Sequence, residues 1–230
     1  MTTTLRPLDL LLITRRLPSP VRNILKEYPN RVFLAGGFIR SCISGEEVSD
    51  IDLIVDSKDL GDLISRKLKE QVEGSIYTTE NAFTVIGYRH PVQIIHRWTY
   101  KTALEVIESF DFTIACAAVC WEGTAWVSVI HRDYYADLAA RRLVYLSPKR
   151  AEEPGGSLLR VLKFYQRGYR IPLDSLGAVI ARLARAVRGD PATLEEEMHA
   201  KIVTGLLREV DPFVDPDHFA HHPATTESTS

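Results

Sequence analysis

Two aspartates placed two residues apart are the strongest chemical signal in the sequence. Asp50 and Asp52 stand at the start of the apolar run Ile51–Val55, which predicts a buried strand. Residues two apart on a strand project from one face, so we expect the two carboxylates to lie side by side. Because like charges at that distance repel each other unless a cation lies between them, the pair predicts a Mg²⁺ site. Two such ions could polarise an attacking hydroxyl and neutralise a leaving pyrophosphate.

A glycine pair and an arginine precede the two aspartates. Gly36 and Gly37 follow the predicted strand Val32–Ala35 and come just before a predicted helix start. Without side chains they let the backbone approach a phosphate closely, and Arg40 is placed to pair with the same phosphate. Each feature alone has an ordinary reading, since a lone Gly-Gly is usually a turn, a lone Asp-x-Asp is usually a solvated strand end, and Arg40 could be a surface helix residue. Together they predict a combined phosphate and metal site.

This arrangement resembles the head domain of class II CCA-adding enzymes and bacterial poly(A) polymerases, in the polymerase β nucleotidyltransferase superfamily. In that family the glycine pair and its arginine bind a triphosphate, and the two aspartates bind the catalytic metal ions. The matching positions here are Gly37, Arg40, Asp50 and Asp52. The resemblance implies transfer of a nucleoside monophosphate from an NTP to an acceptor hydroxyl with release of pyrophosphate. It also implies two Mg²⁺ ions as cofactors and an RNA 3′ end as the acceptor.

Two further segments are similar to the same family. Residues 109–117 resemble its Arg-Arg-Asp-Phe-Thr-Ile-Asn-Ala motif, which makes Asp111 the candidate for a third catalytic carboxylate. Alternatively, Asp111 could orient the substrate or cap the following helix. Residues 158–164 resemble its neck helix, whose basic residues reach the nucleotide. Arg160 and Lys163 share one face of that predicted helix, and the resemblance makes them nucleotide-binding candidates, although solvated charges are a nearly equal alternative.

The sequence also departs from the family pattern at three places. Ser109 and Phe110 stand where the family has its arginine pair. The motif that reads the incoming base would fall at Glu153-Pro154-x-x-Ser157, which lacks the expected Asp and Arg. Gln93 lies on a predicted strand where related enzymes often carry another acidic residue. These changes affect base selection and the third carboxylate, and they leave the phosphate and metal positions intact.

Sequence patterns predict an α+β fold in which helices flank a mixed β-sheet. We predict a nucleotidyltransferase head over residues 1–134, a small α-helical neck-like segment over 135–212 and a disordered tail over 213–230. Strands are predicted at 32–35, 51–55, 75–78, 83–88, 92–97 and 126–130, and the state of 111–118 stays open. Helices are predicted at 21–29, 60–72, 103–109, 156–168, 173–188 and 194–209, with a further helix start at 38–43.

Composition and charge narrow the environment and the partners. No apolar run approaches the roughly 18 residues of a membrane helix, so no membrane partner is expected. Three cysteines form an odd and sparse set, which favours reduced thiols and a cytoplasmic location. Residues 135–190 carry eleven Lys or Arg against five Asp or Glu, a local charge of +6 in a chain of net charge −2. Such a segment is compatible with a phosphate-rich partner such as RNA, and equally with solvated helix faces.

Two other functions remain open from the sequence. The loss of the base-reading motif is compatible with an inactive nucleotide- or RNA-binding module that kept the fold. A transferase that modifies a protein or a small molecule, in the manner of a toxin, would need the same phosphate and metal residues. The residues quoted above do not separate these alternatives from transfer to RNA.

Overall fold

The computed structural model describes residues 1–148, 155–187 and 196–208. The chain divides into two compact units, Met1–Pro148 and Lys149–Ser230. The predicted base-reading position at Glu153-Pro154 and the predicted disordered tail at 213–230 lie outside the described residues. The fold is the predicted α+β arrangement, a mixed sheet flanked by helices.

The first unit is built on one eight-stranded sheet with the order β1-β8-β7-β2-β3-β6-β5-β4. The strands are β1 Thr2–Thr3, β2 Val32–Ala35, β3 Ile51–Val55, β4 Ser75–Thr78, β5 Ala82–Ile86, β6 Val92–Ile95, β7 Ala117–Trp121 and β8 Trp126–His131. The helices are α1 Pro7–Arg16, α2 Ser19–Glu27, α3 Gly37–Ser44, α4 Lys58–Lys69, α5 Ala103–Glu108 and α6 Tyr134–Ala139. Strands β3 and β6 pair in parallel, and the other neighbours pair antiparallel.

The central strands are buried on both faces, which explains why they read as continuous apolar runs. On one face α4 packs closely, since a Cβ added to Gly61 would lie 3.3 Å from Val55 and 3.4 Å from Ile94. On the other face α5 closes a cluster of buried side chains from β2, β3 and β7. That cluster contains Phe33, Ala35, Ile54, Ala103, Val106, Ile107, Cys116, Ala118 and Cys120. The second face also carries Asp52, which stands opposite Ala35 in the β2–β3 register.

Four parts of the first unit were not predicted in full. Helices α1 and α6 had no predicted counterpart, and β1 is only two residues long. The open segment 111–118 contains a 3₁₀ helix at Thr113–Ala115 and the first residues of β7. Small apolar residues suit either state, so tertiary pairing with β2 and β8 decides it.

The first unit continues past residue 134 to Pro148 because the intervening chain packs onto the sheet. Leu143 is fully buried, and Tyr145 forms an antiparallel bridge with Phe112. The backbone N–H of Leu146 donates to the carbonyl of Asp111 at 2.8 Å. The segment that follows α6 therefore belongs to the sheet unit and supports the 110–113 region from outside.

The second unit is helical in its described part. Its helices are α7 Gly156–Gln166, α8 Leu173–Ala186 and α9 Glu196–Arg208. Phe164 and Tyr169 pack edge to face with ring centroids 5.4 Å apart, and Tyr169 is fully buried.

The three cysteines of the first unit are buried free thiols, at Cys42, Cys116 and Cys120.

Across the residues that the structure describes, none of the helices is both long enough and apolar enough to span a bilayer.

The buried His96 gives a testable dependence of stability on pH. Its side chain is 7% exposed and packs on Phe83, with ring centroids 4.7 Å apart. Burial, and secondarily the charge of Lys58, lowers the pKa of His96 below its ordinary value of 6.5. As the pH falls below 6.5 the unfolded chain binds a proton that the folded chain resists, so stability is lost in that direction.

We therefore expect the Tm of the wild type to drop between pH 7.5 and 5.5 more steeply than that of His96→Phe. Lys58→Gln should flatten the dependence partially, because it removes one of the two causes. Differential scanning fluorimetry across this range measures all three slopes. Equal slopes for the wild type and His96→Phe would contradict the assignment.

Candidate active site

The site begins at Gly36, where β2 ends and α3 starts. Gly36 has φ 68° and ψ −123°, a conformation that side-chain-bearing residues rarely adopt, and it occupies the N-cap position of α3. Its N–H donates to the carbonyl of Ala117 at 3.1 Å, which ties the turn to β7. The turn therefore requires glycine for conformational reasons as well as for access.

The two aspartates lie directly beside this turn. A Cβ added to Gly36 would lie 3.9 Å from Asp52 Oδ2, and one added to Gly37 would lie 3.8 Å from Asp50 Oδ1. Both aspartates are half-buried, and Asp50 immediately precedes β3. Ser49 Oγ donates to Asp50 Oδ1 at 2.8 Å. The two consecutive glycines thus lie beside the carboxylates of Asp52 and Asp50, and a group the size of a methyl would meet those side chains at ordinary contact distances.

Arg40 completes the group from the first turn of α3. The residue is 5% exposed, so the interpretation of Arg40 as an ordinary surface residue is wrong. Its Nη2 lies 3.9 Å from the position of a Cβ on Gly37. Its Nε lies 3.5 Å from Glu46 Oε2, in an ion pair that sequence reasoning missed. One end of the guanidinium therefore faces the glycine turn, while its Nε faces a carboxylate.

The donor set suits magnesium that shares its ligands with a substrate. Within residues 1–148, 155–187 and 196–208, no group of three or more His, Cys, Asp or Glu side chains forms a metal site by itself. Mg²⁺ is commonly held by one or two carboxylates together with substrate phosphates and water. Asp50 and Asp52 beside an open glycine turn supply the protein half of such a site, and they are the residues that would hold the ions.

Phe110 occupies the place beside Gly36 where the resembling family has an arginine. Its Cε1 and Cζ atoms lie 3.7 Å from the position of a Cβ on Gly36, which is itself close to Asp52. The ring is half-buried and packs against the core cluster under α5. An apolar wall therefore borders the carboxylates on this side, and the cation expected from the family is replaced by a ring.

Asp111 follows this ring and is 1% exposed. The alternative of a helix N-cap does not hold, because Phe112 is the N-cap of the 3₁₀ helix and no side chain caps it. The catalytic role of Asp111 stays a prediction.

A buried polar cluster anchors the chain just beyond Asp111. Thr113 Oγ1 donates to Asp137 Oδ2 at 2.6 Å, and Arg142 Nε donates to Asp137 Oδ1 at 2.8 Å. Asp137 is 1% exposed, so its charge is compensated by these two partners. This cluster could not be predicted from the sequence, because α6 was not predicted. It fixes the segment that presents Phe110 and Asp111.

Gln93 lies next to Asp52 on the neighbouring parallel strand. The two residues are register partners, so both side chains project from the same face of the sheet. A neutral amide therefore occupies the position where a third carboxylate was considered.

The remaining candidates belong to the second unit. Arg160 is half-buried and Lys163 is exposed, three residues apart on α7. Their role in nucleotide binding stays a prediction.

Solved structures similar to this chain confirm the resemblance to CCA-adding enzymes at the level of the fold. A CCA-adding enzyme in complex with ATP has a TM-score of 0.59 and 18% identity, and the match covers 96% of this chain and 53% of that one. The complex with CTP gives 0.58 and 16% identity, over 95% and 54%. The Thermotoga maritima CCA-adding enzyme complexed with tRNA gives 0.56 and 16%, over 96% and 54%. This chain thus spans about half the length of each.

A closer relationship is found by sequence. Gabija anti-defense 2 of Bacillus phage SPbetaL7 is 28% identical over 145 residues, which is 62% of this chain and 34% of that protein. The matched part thus spans about a third of the relative's length. The family described as Gabija anti-defense 2 family protein matches residues 13–141, a stretch that contains the glycine turn, both aspartates, Arg40 and Phe110. Since this match covers more than half of the chain, the protein belongs to the Gabija anti-defense 2 family.

Proposed function

We propose that the protein is a metal-dependent nucleotidyltransferase that moves a nucleoside monophosphate from an NTP to an acceptor hydroxyl and releases pyrophosphate. The observation that carries this proposal is the convergence of Asp50, Asp52 and Arg40 on the turn Gly36-Gly37. The site pairs a place for cations with a place for phosphates, and the transfer of a nucleotidyl group needs both.

Each residue has a distinct part in the proposed reaction. The backbone at Gly36-Gly37 lies at the N-terminus of α3, where N–H groups and the helix dipole favour a phosphate. Arg40 pairs with the same phosphates through its terminal nitrogens. Asp50 and Asp52 hold Mg²⁺, which supplies charge neutralisation when bound. Catalysis is then mainly positioning and electrostatic stabilisation, because the transfer requires little covalent chemistry from the protein.

The acceptor is the open part of the proposal, and two classes have support. An RNA 3′ end is favoured by the +6 segment at 135–190 and by the solved neighbour that carries tRNA. A macromolecule of Gabija defense is favoured by the name of the family, which is an anti-defense family. The second acceptor class agrees with the neutral Gln93 and the apolar Phe110, which depart from the pattern of the RNA-modifying enzymes.

A labelling experiment tests the reaction and separates the acceptors. The purified protein is incubated with Mg²⁺ and each α-³²P-labelled NTP in turn, first with total tRNA and then with a lysate that expresses Gabija. The matched control is the Asp50→Asn/Asp52→Asn double variant. We expect Mg²⁺-dependent label with the wild type alone, and EDTA should abolish it.

The fraction that carries the label identifies the acceptor. Label in RNA that decreases steeply as salt is added would establish an RNA acceptor bound through its phosphates. Label in a protein band that appears only with Gabija present would establish the second class. Absence of label in every fraction, with NTP binding intact, would overturn the proposal in favour of an inactive nucleotide-binding module.

A further inference from the structure

The ion pair between Arg40 and Glu46 lies within the proposed triphosphate site. Arg40 is buried and Glu46 is half-buried, with 7% and 13% of their side-chain surface exposed. Surface ion pairs contribute little, but a buried arginine needs a compensating charge at all times because its guanidinium does not deprotonate. Glu46 supplies that charge at Nε.

The chain brings Glu46 to this place by ending α3 abruptly. Gly45 is the C-cap of α3 and adopts φ 71° and ψ 15°, the left-handed conformation that glycine favours. The chain reverses there, so Glu46 comes back to Arg40 in the same helix. Nothing lies within 4 Å of a Cβ added to Gly45. The glycine is therefore required for the reversal of the chain and not for close packing.

The guanidinium meets its two neighbours through different nitrogens. Glu46 Oε2 lies 3.5 Å from Nε, while Nη2 lies 3.9 Å from the position of a Cβ on Gly37. A guanidinium carries five N–H donors in a rigid plane, so it can pair with a carboxylate and a phosphate at once through different N–H groups. An arginine whose Nε already lies against a carboxylate loses less conformational freedom when a phosphate binds its terminal nitrogens.

We propose that Glu46 is a positioning residue of the triphosphate site, which acts by holding Arg40 with its Nη atoms turned to the glycine turn. This inference rests on the proposed function, because it assumes that Arg40 contacts a triphosphate. It makes Glu46, in the loop between α3 and Asp50, part of the nucleotide site. The opposite role, in which Glu46 competes with the phosphate for Arg40, predicts the opposite sign in the experiment.

Calorimetric titration tests this role with two probes, Mg²⁺-tripolyphosphate and non-hydrolysable Mg²⁺-NTP analogues. We expect Glu46→Gln to raise the Kd of both by about tenfold or more, since misplacement of a binding group by a fraction of an ångström has effects of that order. Glu46→Asp should recover part of the affinity. Glu47→Gln is the matched control, because it removes the same charge from the adjacent, exposed residue and should leave Kd unchanged.

A double variant distinguishes positioning from a general effect on the site. If Glu46 acts through Arg40, Arg40→Gln/Glu46→Gln should bind no more weakly than Arg40→Gln alone. Additive losses, or an unchanged or lowered Kd in Glu46→Gln, would overturn the role of Glu46. If the wild type binds neither probe, the proposed function fails together with this inference. If Arg40→Gln weakens binding and Glu46→Gln does not, only the positioning role of Glu46 is refuted.

Thermal melting shows whether a loss of phosphate affinity is caused by unfolding of the variant. We expect Glu46→Asp, which keeps the charge, to melt close to the wild type and still bind more weakly. A shift of Kd at an unchanged Tm cannot come from a purely structural role. A Kd for Glu46→Asp equal to that of the wild type, with Glu46→Gln unfolded, would count against positioning.

Discussion

Replacement of either Asp50 or Asp52 by asparagine is expected to abolish nucleotidyl transfer while leaving the fold intact. Each carboxylate lies beside the glycine turn and is half-buried, so asparagine fits the same space without the charge. Metal ions contribute several kcal/mol of charge stabilisation, and each 1.4 kcal/mol is a factor of ten. We therefore expect a loss of about 10³-fold or more in the rate of label transfer for either variant.

The same variants should melt at or above the Tm of the wild type in the absence of Mg²⁺, because removal of one charge relieves repulsion between the pair. Added Mg²⁺ should raise the Tm of the wild type and not that of the double variant. Asp56→Asn is the matched control. It removes a carboxylate just after the far end of β3, where Asp56 pairs with Arg31 at 2.6 Å and 28% of its side chain is exposed. Activity near wild type in Asp50→Asn would contradict the assignment.

The central strands could be predicted from the sequence because their burial leaves a local signature. Strands β2, β3 and β4 match the predicted bounds, since buried or β-branched runs between turn residues read clearly. Helix α1 carries no such signature. Its residues Leu8, Leu11 and Leu12 are exposed, so its apolar residues do not mark a buried face. Hydrophobic periodicity predicts a helix where the exposure of its side chains follows the helical period, and the exposure along α1 does not follow that period.

The parts of the site that are close in sequence could be predicted, and the parts assembled by the fold could not. Gly36, Gly37, Arg40 and the two aspartates lie within one β2-α3-β3 unit, so spacing alone places them together. The ring of Phe110 reaches Gly36 only because β7 pairs with β2. The contact of Glu46 with Arg40 depends on the left-handed conformation of Gly45, which no periodicity records.

The positions at which this chain departs from the pattern of the CCA-adding enzymes lie among these nonlocal contacts. The fold neighbours are CCA-adding enzymes, while the family of the chain is an anti-defense family. The glycine turn and the aspartates are compatible with both, since transfer of a nucleotidyl group to either acceptor would use the same phosphate and metal residues. Phe110 and Gln93 border the same carboxylates and carry no charge, so they are the positions where a changed acceptor would be accommodated.

Replacement by alanine should affect the stability of the fold differently at the two glycines of the turn. Gly36→Ala places a side chain at φ 68°, which costs about 1–3 kcal/mol of strain. It should therefore lower Tm as well as activity. Gly37 has an ordinary φ, and its added Cβ would lie 3.8 Å from Asp50 Oδ1 and 3.9 Å from Arg40 Nη2, which are normal contact distances. Gly37→Ala should therefore fold like the wild type.

Gly37→Ala should nevertheless bind Mg²⁺-tripolyphosphate at least about tenfold more weakly, because its methyl group fills the space through which a phosphate approaches the backbone and Arg40. Melting curves and titration calorimetry on the same samples measure the two effects. Gly123→Ala is the matched control, since it strains a glycine with φ 90° in the turn between β7 and β8, where nothing lies within 4 Å of the added Cβ. Unchanged phosphate affinity in Gly37→Ala would mean that the turn is a structural feature of the sheet alone. Weakened affinity at an unchanged Tm separates the binding role of Gly37 from the conformational role of Gly36.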